Sequence, residues 1–165
     1  PMQVIIPVAL SVLVVVLGLS VLPRILKGYG AKPKKHTWLI VAGLLLYVIS
    51  WWLPSPLIEG RDTSFTTHFI GGGLFTGFVW LYVKRSFRWK SSWWFEGLTL
   101  FALVSSLGVI NELAEIVFYA CGYMPYGISD TSWDLLANSL GSFVFFLLYV
   151  AFLNRHYSSA VSIEG

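Results

Sequence analysis

Charged residues are scarce in this chain of 165 residues, at 12% of the sequence. Soluble domains carry about 25%, so the shortage excludes an ordinary soluble enzyme and a disordered tail. A single cysteine, Cys121, excludes an intramolecular disulfide and a cysteine-rich metal site. The formal net charge of +3 comes from Lys and Arg in short loops. Topology explains such residues better than a phosphate-binding surface does, so nucleic-acid binding is not expected.

Long apolar runs are what the sequence has instead, with 56% hydrophobic residues. A helix needs about 20 apolar residues to cross the hydrocarbon core of a bilayer. In lipid the backbone must satisfy its own hydrogen bonds, so the spanning segments are helices. The predicted spans are Val4–Leu22, Thr37–Leu53, Phe65–Val83, Trp94–Tyr119 and Trp133–Leu153. The sequence therefore predicts an all-α integral membrane bundle of about five helices, forming a single transmembrane domain over residues 1–165.

The loops predict an orientation. Ten of the eleven Lys and Arg residues follow the first, third or fifth span, and only Arg61 lies on the other side. Lys and Arg near span ends remain cytoplasmic, so we expect the N-terminus outside and the C-terminus inside a plasma membrane. Aromatic residues would mark the two interfaces, with Trp80 and Tyr82 among those on the inner side.

The acids follow the opposite pattern, because six of the eight carboxylates fall at or near the outer side. Residues three and four apart share a helix face. Three stripes of small or polar side chains result, which are His68, Gly71, Gly72 and Thr76 on the third span, Ser105, Gly108, Glu112 and Glu115 on the fourth, and Asp134, Ala137, Asn138 and Gly141 on the fifth. Small residues allow close helix approach, and Gly73-x-x-x-Gly77 adds another contact face. We expect the three stripes to face one another.

Ionisable groups at membrane depth usually face a bundle interior or a wet cavity, and they mark function by default. The sequence thus predicts a polar pocket open to the outer face. Glu112 and Asp134 are its first candidates for catalysis, assisted by His68 and Glu115. The expected substrate-binding residues are Asn138, Asn111, Asp62 and Arg61, the last two at the rim.

Each residue also has a purely structural explanation. Asp62 is a natural N-cap for the third span, and Thr131 to Asp134 forms a weak capping box. Asn138 can serve as an interhelical hydrogen bond, and His68 as a packed, hydrogen-bonded histidine. The combined structural explanation is weaker than any single one, because the residues converge on one depth.

Two kinds of chemistry fit the pocket. One histidine with two or three carboxylates is enough for a divalent metal, with His68, Glu112, Glu115 and Asp134 as candidate ligands. Alternatively, one carboxylate holds a proton while another accepts one, and His68 shuttles between them. The spacing favours neither, so the cofactor stays unknown and a divalent metal is one option.

Three short elements resemble the VanZ-like family of small bacterial and archaeal membrane proteins and the related YjdF-like proteins. His68-Phe69 matches the first element, Glu112 the second, and Asp134-x-x-x-Asn138-x-x-Gly141 the third. The interval before His68 is longer than in the family, and Glu115 stands where a glutamine is usual. The resemblance covers about residues 60–145 and implies action at the cell envelope.

The expected function is therefore binding or modification of an envelope lipid or lipid-linked glycan, with membrane lipids as partners. An enzyme would be an acid–base or metal-assisted hydrolase or transferase. Two alternatives remain: a proton-coupled transporter, since intramembrane Glu and His relays are typical of transporters, and a non-catalytic subunit held in a membrane complex by its small-residue faces.

Overall fold

The computed structural model of the protein describes Ala9 and residues 12–58, 60–122 and 131–153. These residues form five helices joined by short connections. Helix α1 covers residues 12–28, α2 is Thr37–Ser50, α3 covers residues 65–86, α4 is Trp93–Ala120, and α5 covers residues 131–153. A 3₁₀ turn, Pro33–His36, precedes α2, and two-residue strands β1 (Leu57–Ile58) and β2 (Arg61–Asp62) pair antiparallel between α2 and α3.

The five predicted segments correspond to these helices, with shifted ends. Helix α1 continues to Gly28, past Pro23. Pro23 lies inside this continuous helix, two residues after the π-helical segment Leu17–Val21. The regular ladder of backbone hydrogen bonds is already interrupted there, so the missing N–H of proline costs less than in a regular α-helix. Most of the predicted start of the first span lies outside the described residues.

Two helices in the described part of the chain are long and apolar enough to cross a membrane. They are Trp93–Ala120 and Thr131–Phe152. A 28-residue helix extends about 42 Å at 1.5 Å per residue, so α4 exceeds the hydrocarbon thickness. The structure is thus all-helical apart from the small strand pair, with two candidate spans.

Three helices contain π-helical segments, in which the backbone hydrogen bonds close five residues apart. They are Leu17–Val21 in α1, His68–Leu74 in α3 and Tyr149–Leu153 at the end of α5. The segment in α3 includes the only three consecutive glycines of the sequence. Glycine has low helix propensity and no side chain to pack, so this part of α3 can adopt the wider turn and approach its neighbour closely.

The closest helix contact joins α3 to α5. A Cβ atom added to Gly73 would lie 2.5 Å from the carbonyl oxygen of Asn138 and 2.6 Å from Cα of Gly141. One added to Gly141 would collide with the backbone of Phe69. Gly77, one turn further, faces the ring of Phe145. The predicted Gly73-x-x-x-Gly77 contact face therefore packs on α5, as small residues allow.

The prediction for Gly71 was wrong. We expected it on the stripe that faces the pocket, but it packs on α2, where an added Cβ would be 2.6 Å from Oγ of Ser50. The expectation assumed α-helical spacing from His68. Because His68–Leu74 is π-helical, a face repeats after four to five residues. Gly72 and Gly73 therefore follow His68 on the side toward α5.

The outer helices pack in sequence. Gly43 of α2 lies against Phe78 of α3, and Gly18 of α1 lies against Leu44 of α2. On the other side, Gly97 of α4 faces Phe146 of α5. The helices therefore contact in the order α1, α2, α3, α5, α4. As expected, the first two helices flank the three that carry the polar stripes.

The prediction for Trp80 and Tyr82 was also wrong. Both were expected at the inner interface, yet Trp80 is 6% exposed and Tyr82 is fully buried. The ring of Trp80 meets Tyr149 of α5 edge-on, with 5.4 Å between centroids. These residues belong to the apolar core, which also contains Leu39, Ile40, Leu81 and Leu100. Their position near the charged end of α3 did not show which way they face.

The basic loop after α1 and the basic loop after α3 contact each other, at the end of the bundle where α3 stops. The backbone N–H of Lys32 donates to the carbonyl of Ser86 at 2.8 Å. Partial burial lowers the pKa of His36, and the neighbouring cations of Arg85, Lys35 and Arg88 lower this pKa further. The loops after α1 and α3 therefore form one cationic surface.

Candidate functional site

The opposite end of the bundle brings together the polar residues of three helices. His68 lies in the second turn of α3, Glu112 and Glu115 in the last turns of α4, and Asp134 and Asn138 in the first turns of α5. Helices α3 and α5 begin at the end of the bundle where α4 stops. The side chains from the three helices therefore lie at the same height along the bundle axis. The expected meeting of the stripes is observed.

The centre of the cluster is a contact between His68 and Asp134. Nε2 of the imidazole lies 3.3 Å from Oδ1 of the carboxylate, and the side chains are 14% and 1% exposed. A carboxylate on one ring nitrogen fixes the orientation of an imidazole and favours a proton on that nitrogen. The capping explanation for Asp134 does not account for this contact, since its side chain reaches across to another helix.

Asn138 lies on the other side of the same imidazole. Its Nδ2 is 3.5 Å from Nδ1 of His68, a distance at the weak limit of hydrogen bonding. If Nε2–H faces Asp134, Nδ1 is the acceptor and the amide N–H donates to it. Oδ1 of Asn138 is buried and accepts no hydrogen bond from the residues that the structure describes.

The two glutamates of α4 complete the cluster. One carboxylate oxygen of Glu112, one of Glu115 and one nitrogen of His68 all lie within 4.8 Å of one another. Glu112 is 5% exposed, whereas Glu115 is partly exposed. Asn111 is exposed and donates from Nδ2 to Oε1 of Glu115 at 2.6 Å. The carboxylate of Glu112 is therefore buried inside the cluster, whereas Glu115 and Asn111 form its side nearest to solvent.

The predicted rim residues are placed differently. Asp62 is exposed, and its Oδ1 accepts from the backbone N–H of Ser64 at 2.9 Å. Helix α3 begins at Phe65, so Ser64, with φ of 52°, occupies the N-cap position. The prediction that Asp62 is the N-cap was therefore wrong, because its carboxylate closes the turn before the helix. Arg61 is described by its backbone in β2, and its role stays a prediction.

This arrangement suits proton transfer or metal binding. A buried carboxylate contacts the imidazole, and an oxygen of a second buried carboxylate lies within 4.8 Å of an imidazole nitrogen. A small side-chain rotation or one bridging water would bring the second pair to the distance that general acid–base catalysis requires. The same imidazole nitrogen and two glutamate oxygens form a donor set for a divalent cation. The residues that can hold a metal are thus His68, Glu112 and Glu115.

A second polar cluster, which the sequence did not reveal, lies at the basic end. Nζ of Lys84 donates to Oε1 of Glu96 and, at 2.5 Å, to the hydroxyl of Tyr149. Ser91 also donates to Glu96, at 2.9 Å. The ammonium lies 5.4 Å from the ring centroid of Trp80, within cation–π range. We call Lys84, Glu96 and Tyr149 the inner cluster.

In the sequence, Lys84 is one of the ten Lys and Arg expected on the cytoplasmic side, and Glu96 is one of the two carboxylates outside the outer group. Glu96 is only 4% exposed and Lys84 12%, so the pair is buried. One signal was available: Lys84 follows Trp80 by four residues, which places both on one helix face.

Breaking this pair is expected to destabilise the fold. Lys84→Met leaves a buried carboxylate without its cation, which costs about 3–5 kcal/mol when one partner of a buried pair is removed. The double variant Lys84→Met with Glu96→Leu should recover most of that loss, because no charge remains. Unfolding in detergent measures both. Equal losses from the two variants would show that the ion pair itself is not what stabilises this end.

Comparisons of this chain with protein-family models, with curated proteins and with solved structures find no match.

Proposed function

We propose that this chain is a multi-pass protein of the plasma membrane, with about five spans, whose His–acid pocket binds or modifies an envelope lipid or lipid-linked glycan. The observation that carries the proposal is the convergence of His68, Asp134 and Glu112 from three helices, with two of the carboxylates buried. Ionisable groups so placed mark function more often than packing. The resemblance to the VanZ-like family agrees with a role at the envelope.

The charge distribution supports an extracytoplasmic pocket. Lys32, Lys35, Arg85 and Arg88 lie at the end of the bundle opposite the pocket. Basic residues of short loops stay on the cytoplasmic side, so the end with His68 faces outward. A pocket at that depth is reached most easily by an amphiphile whose headgroup lies at the outer interface.

The geometry supports acid–base chemistry in this pocket. With the proton of His68 on Nε2, toward Oδ1 of Asp134 at 3.3 Å, Nδ1 is left as the basic nitrogen. An oxygen of Glu112 lies within 4.8 Å of a nitrogen of His68, so one bridging water or a bound headgroup can pass a proton between them. Small-residue contacts between α3 and α5 fix the relative positions of the groups, which proton transfer requires.

The native Cys121 tests the orientation directly. It is exposed and lies just after α4, at the pocket end. We expect a membrane-impermeant thiol reagent to label Cys121 in intact cells. In a Cys121→Ser background, Lys90→Cys should be labelled only after permeabilisation, because Lys90 lies in the loop before α4 at the basic end. The reverse pattern would invert the topology and place the pocket on the cytoplasmic side.

The function is tested with purified protein and a total envelope lipid extract. Mass spectrometry follows which lipid co-purifies with the protein or is converted by it. Glu112→Gln should remove that binding or conversion, while Lys90→Gln, which changes an exposed charge at the other end, should keep it. An extract that the wild-type protein neither retains nor alters would refute the proposal.

A proton-coupled transporter is the second candidate. The inner cluster favours it, because Glu96 supplies a buried acid in the inner half, with Thr76 and Ser142 buried between the two clusters. Protein in liposomes with a pH gradient would then carry protons, and Glu112→Gln would stop the flux. A flux that Glu112→Gln leaves unchanged would exclude this candidate.

A further inference from the structure

Three potential metal donors from two helices meet at the pocket. One nitrogen of His68 and one oxygen from each of Glu112 and Glu115 lie within 4.8 Å of one another. Ligand atoms around a first-row cation at about 2.0–2.2 Å must lie roughly 3 Å apart. Small side-chain rotations therefore bring the three donors onto one centre. Glu112 and Glu115 are one helical turn apart, so α4 can present both to the same ion.

The second feature is the carboxylate behind the histidine. Asp134 is 99% buried, with 1% exposure, and lies 3.3 Å from Nε2 of His68. Metal-binding histidines almost always donate their second ring N–H to such a group, which sets the tautomer and makes the ligand more basic. With Nε2–H toward Asp134, Nδ1 of His68 is the coordinating nitrogen.

The third feature is Asn138, which is 4% exposed. Its Oδ1 accepts no hydrogen bond from the described part of the chain, and its Nδ2 is 3.5 Å from Nδ1 of His68. Exchange of the two amide atoms by rotation would move Oδ1 to the position facing the imidazole nitrogen. That oxygen would then be a fourth donor at ligand–ligand distance. A bound cation would thus give this buried oxygen the partner that it lacks.

We propose that His68, Glu112 and Glu115 bind a divalent cation, with Asn138 as a fourth ligand and Asp134 as the partner of the imidazole. One imidazole with carboxylate and amide oxygens suits Zn²⁺ or Mn²⁺. It does not suit metals that prefer thiolate or thioether ligands, such as Cu(I). The partly exposed side of Glu115 leaves room for water or a lipid headgroup. This inference and the proposed function concern the same pocket. Cation binding can nevertheless occur without lipid, so the two proposals can be tested separately.

The test uses the full chain, tag-free and in detergent, after chelator treatment and dialysis. Titration calorimetry with Zn²⁺ and with Mn²⁺ gives affinity and stoichiometry, and elemental analysis counts bound metal. We expect one ion per chain. Asp134→Asn should weaken binding 10- to 100-fold, as loss of a second-sphere partner does. Glu112→Gln and Glu115→Gln should weaken it at least as much.

His36→Gln is the matched control, because His36 lies in the basic loop at the other end. It should bind like the wild type, whereas His68→Gln should not. Melting curves without metal identify variants that fail to fold. Glu115 is partly exposed, so Glu115→Gln should disturb folding less than Glu112→Gln. If Glu112→Gln fails to fold, Glu115→Gln therefore still tests the site. Absence of binding by folded wild type, or binding that survives Glu115→Gln and His68→Gln, would overturn the site. Lipid turnover is measured separately, so either proposal can fail alone.

Discussion

Gly141→Leu is expected to prevent the assembly of α3 with α5. A side chain at Gly141 meets the backbone of Phe69, and its Cβ would lie 3.0 Å from Cα of Gly73. Backbone atoms cannot rotate away as a side chain can, so the helices must separate. Overpacking usually costs 1–3 kcal/mol, and a forced separation exceeds this range, so we expect a loss of about 3 kcal/mol or more. Melting in detergent should show a large decrease in Tm or no folded protein.

Gly28→Leu is the matched control, because a Cβ at Gly28 meets nothing within 4 Å. Its Tm should stay close to that of the wild type. Gly141→Ala should fall between the two, since a methyl group forces a smaller separation. A Gly141→Leu protein that melts like Gly28→Leu would show that α3 and α5 do not pack as described.

Much of the fold could be predicted from the sequence, because the hypothesis of a lipid environment leaves few backbone structures to choose from. In lipid, an apolar run of sufficient length must be helical, and each of the five predicted segments overlaps one of the five helices, with shifted ends. The meeting of His68, Glu112 and Asp134 was also predictable, because helical phase and depth both follow from residue spacing. Neither required knowledge of a contact partner.

The errors arose where spacing was not α-helical or where a partner decided the outcome. Gly71 faces α2 because the segment from His68 is π-helical. The three glycines of that segment weaken a regular α-helix, but they do not specify a π-helix. Trp80 is buried because Tyr149 of α5 packs on its ring, and Tyr82 is buried in the same core, although their position in the sequence resembles that of interface residues. Lys84 pairs with Glu96 through a fold-dependent contact that a count of loop charges cannot reveal.

The roles of the buried acids lead to the second large effect. Glu112→Gln and Asp134→Asn together should lower lipid modification by at least about 100-fold, since general acid–base groups contribute 10²–10⁴-fold. The same pair of changes should leave the fold in place. Amides keep the shape of the carboxylates, and burying an amide costs less than burying a charge. Rate measurements and melting curves on one preparation separate the two effects.

A structural role predicts the opposite result. If the acids only hold helices together, removing them should lower Tm, and activity should fall only as far as folded protein is lost. Asn111→Ala is the informative comparison, because Asn111 is exposed and touches the cluster only through Glu115. It should change the rate by much less than the double variant. A double variant that is stable and retains the cellular phenotype would instead favour a non-catalytic subunit, since the pocket would then be dispensable.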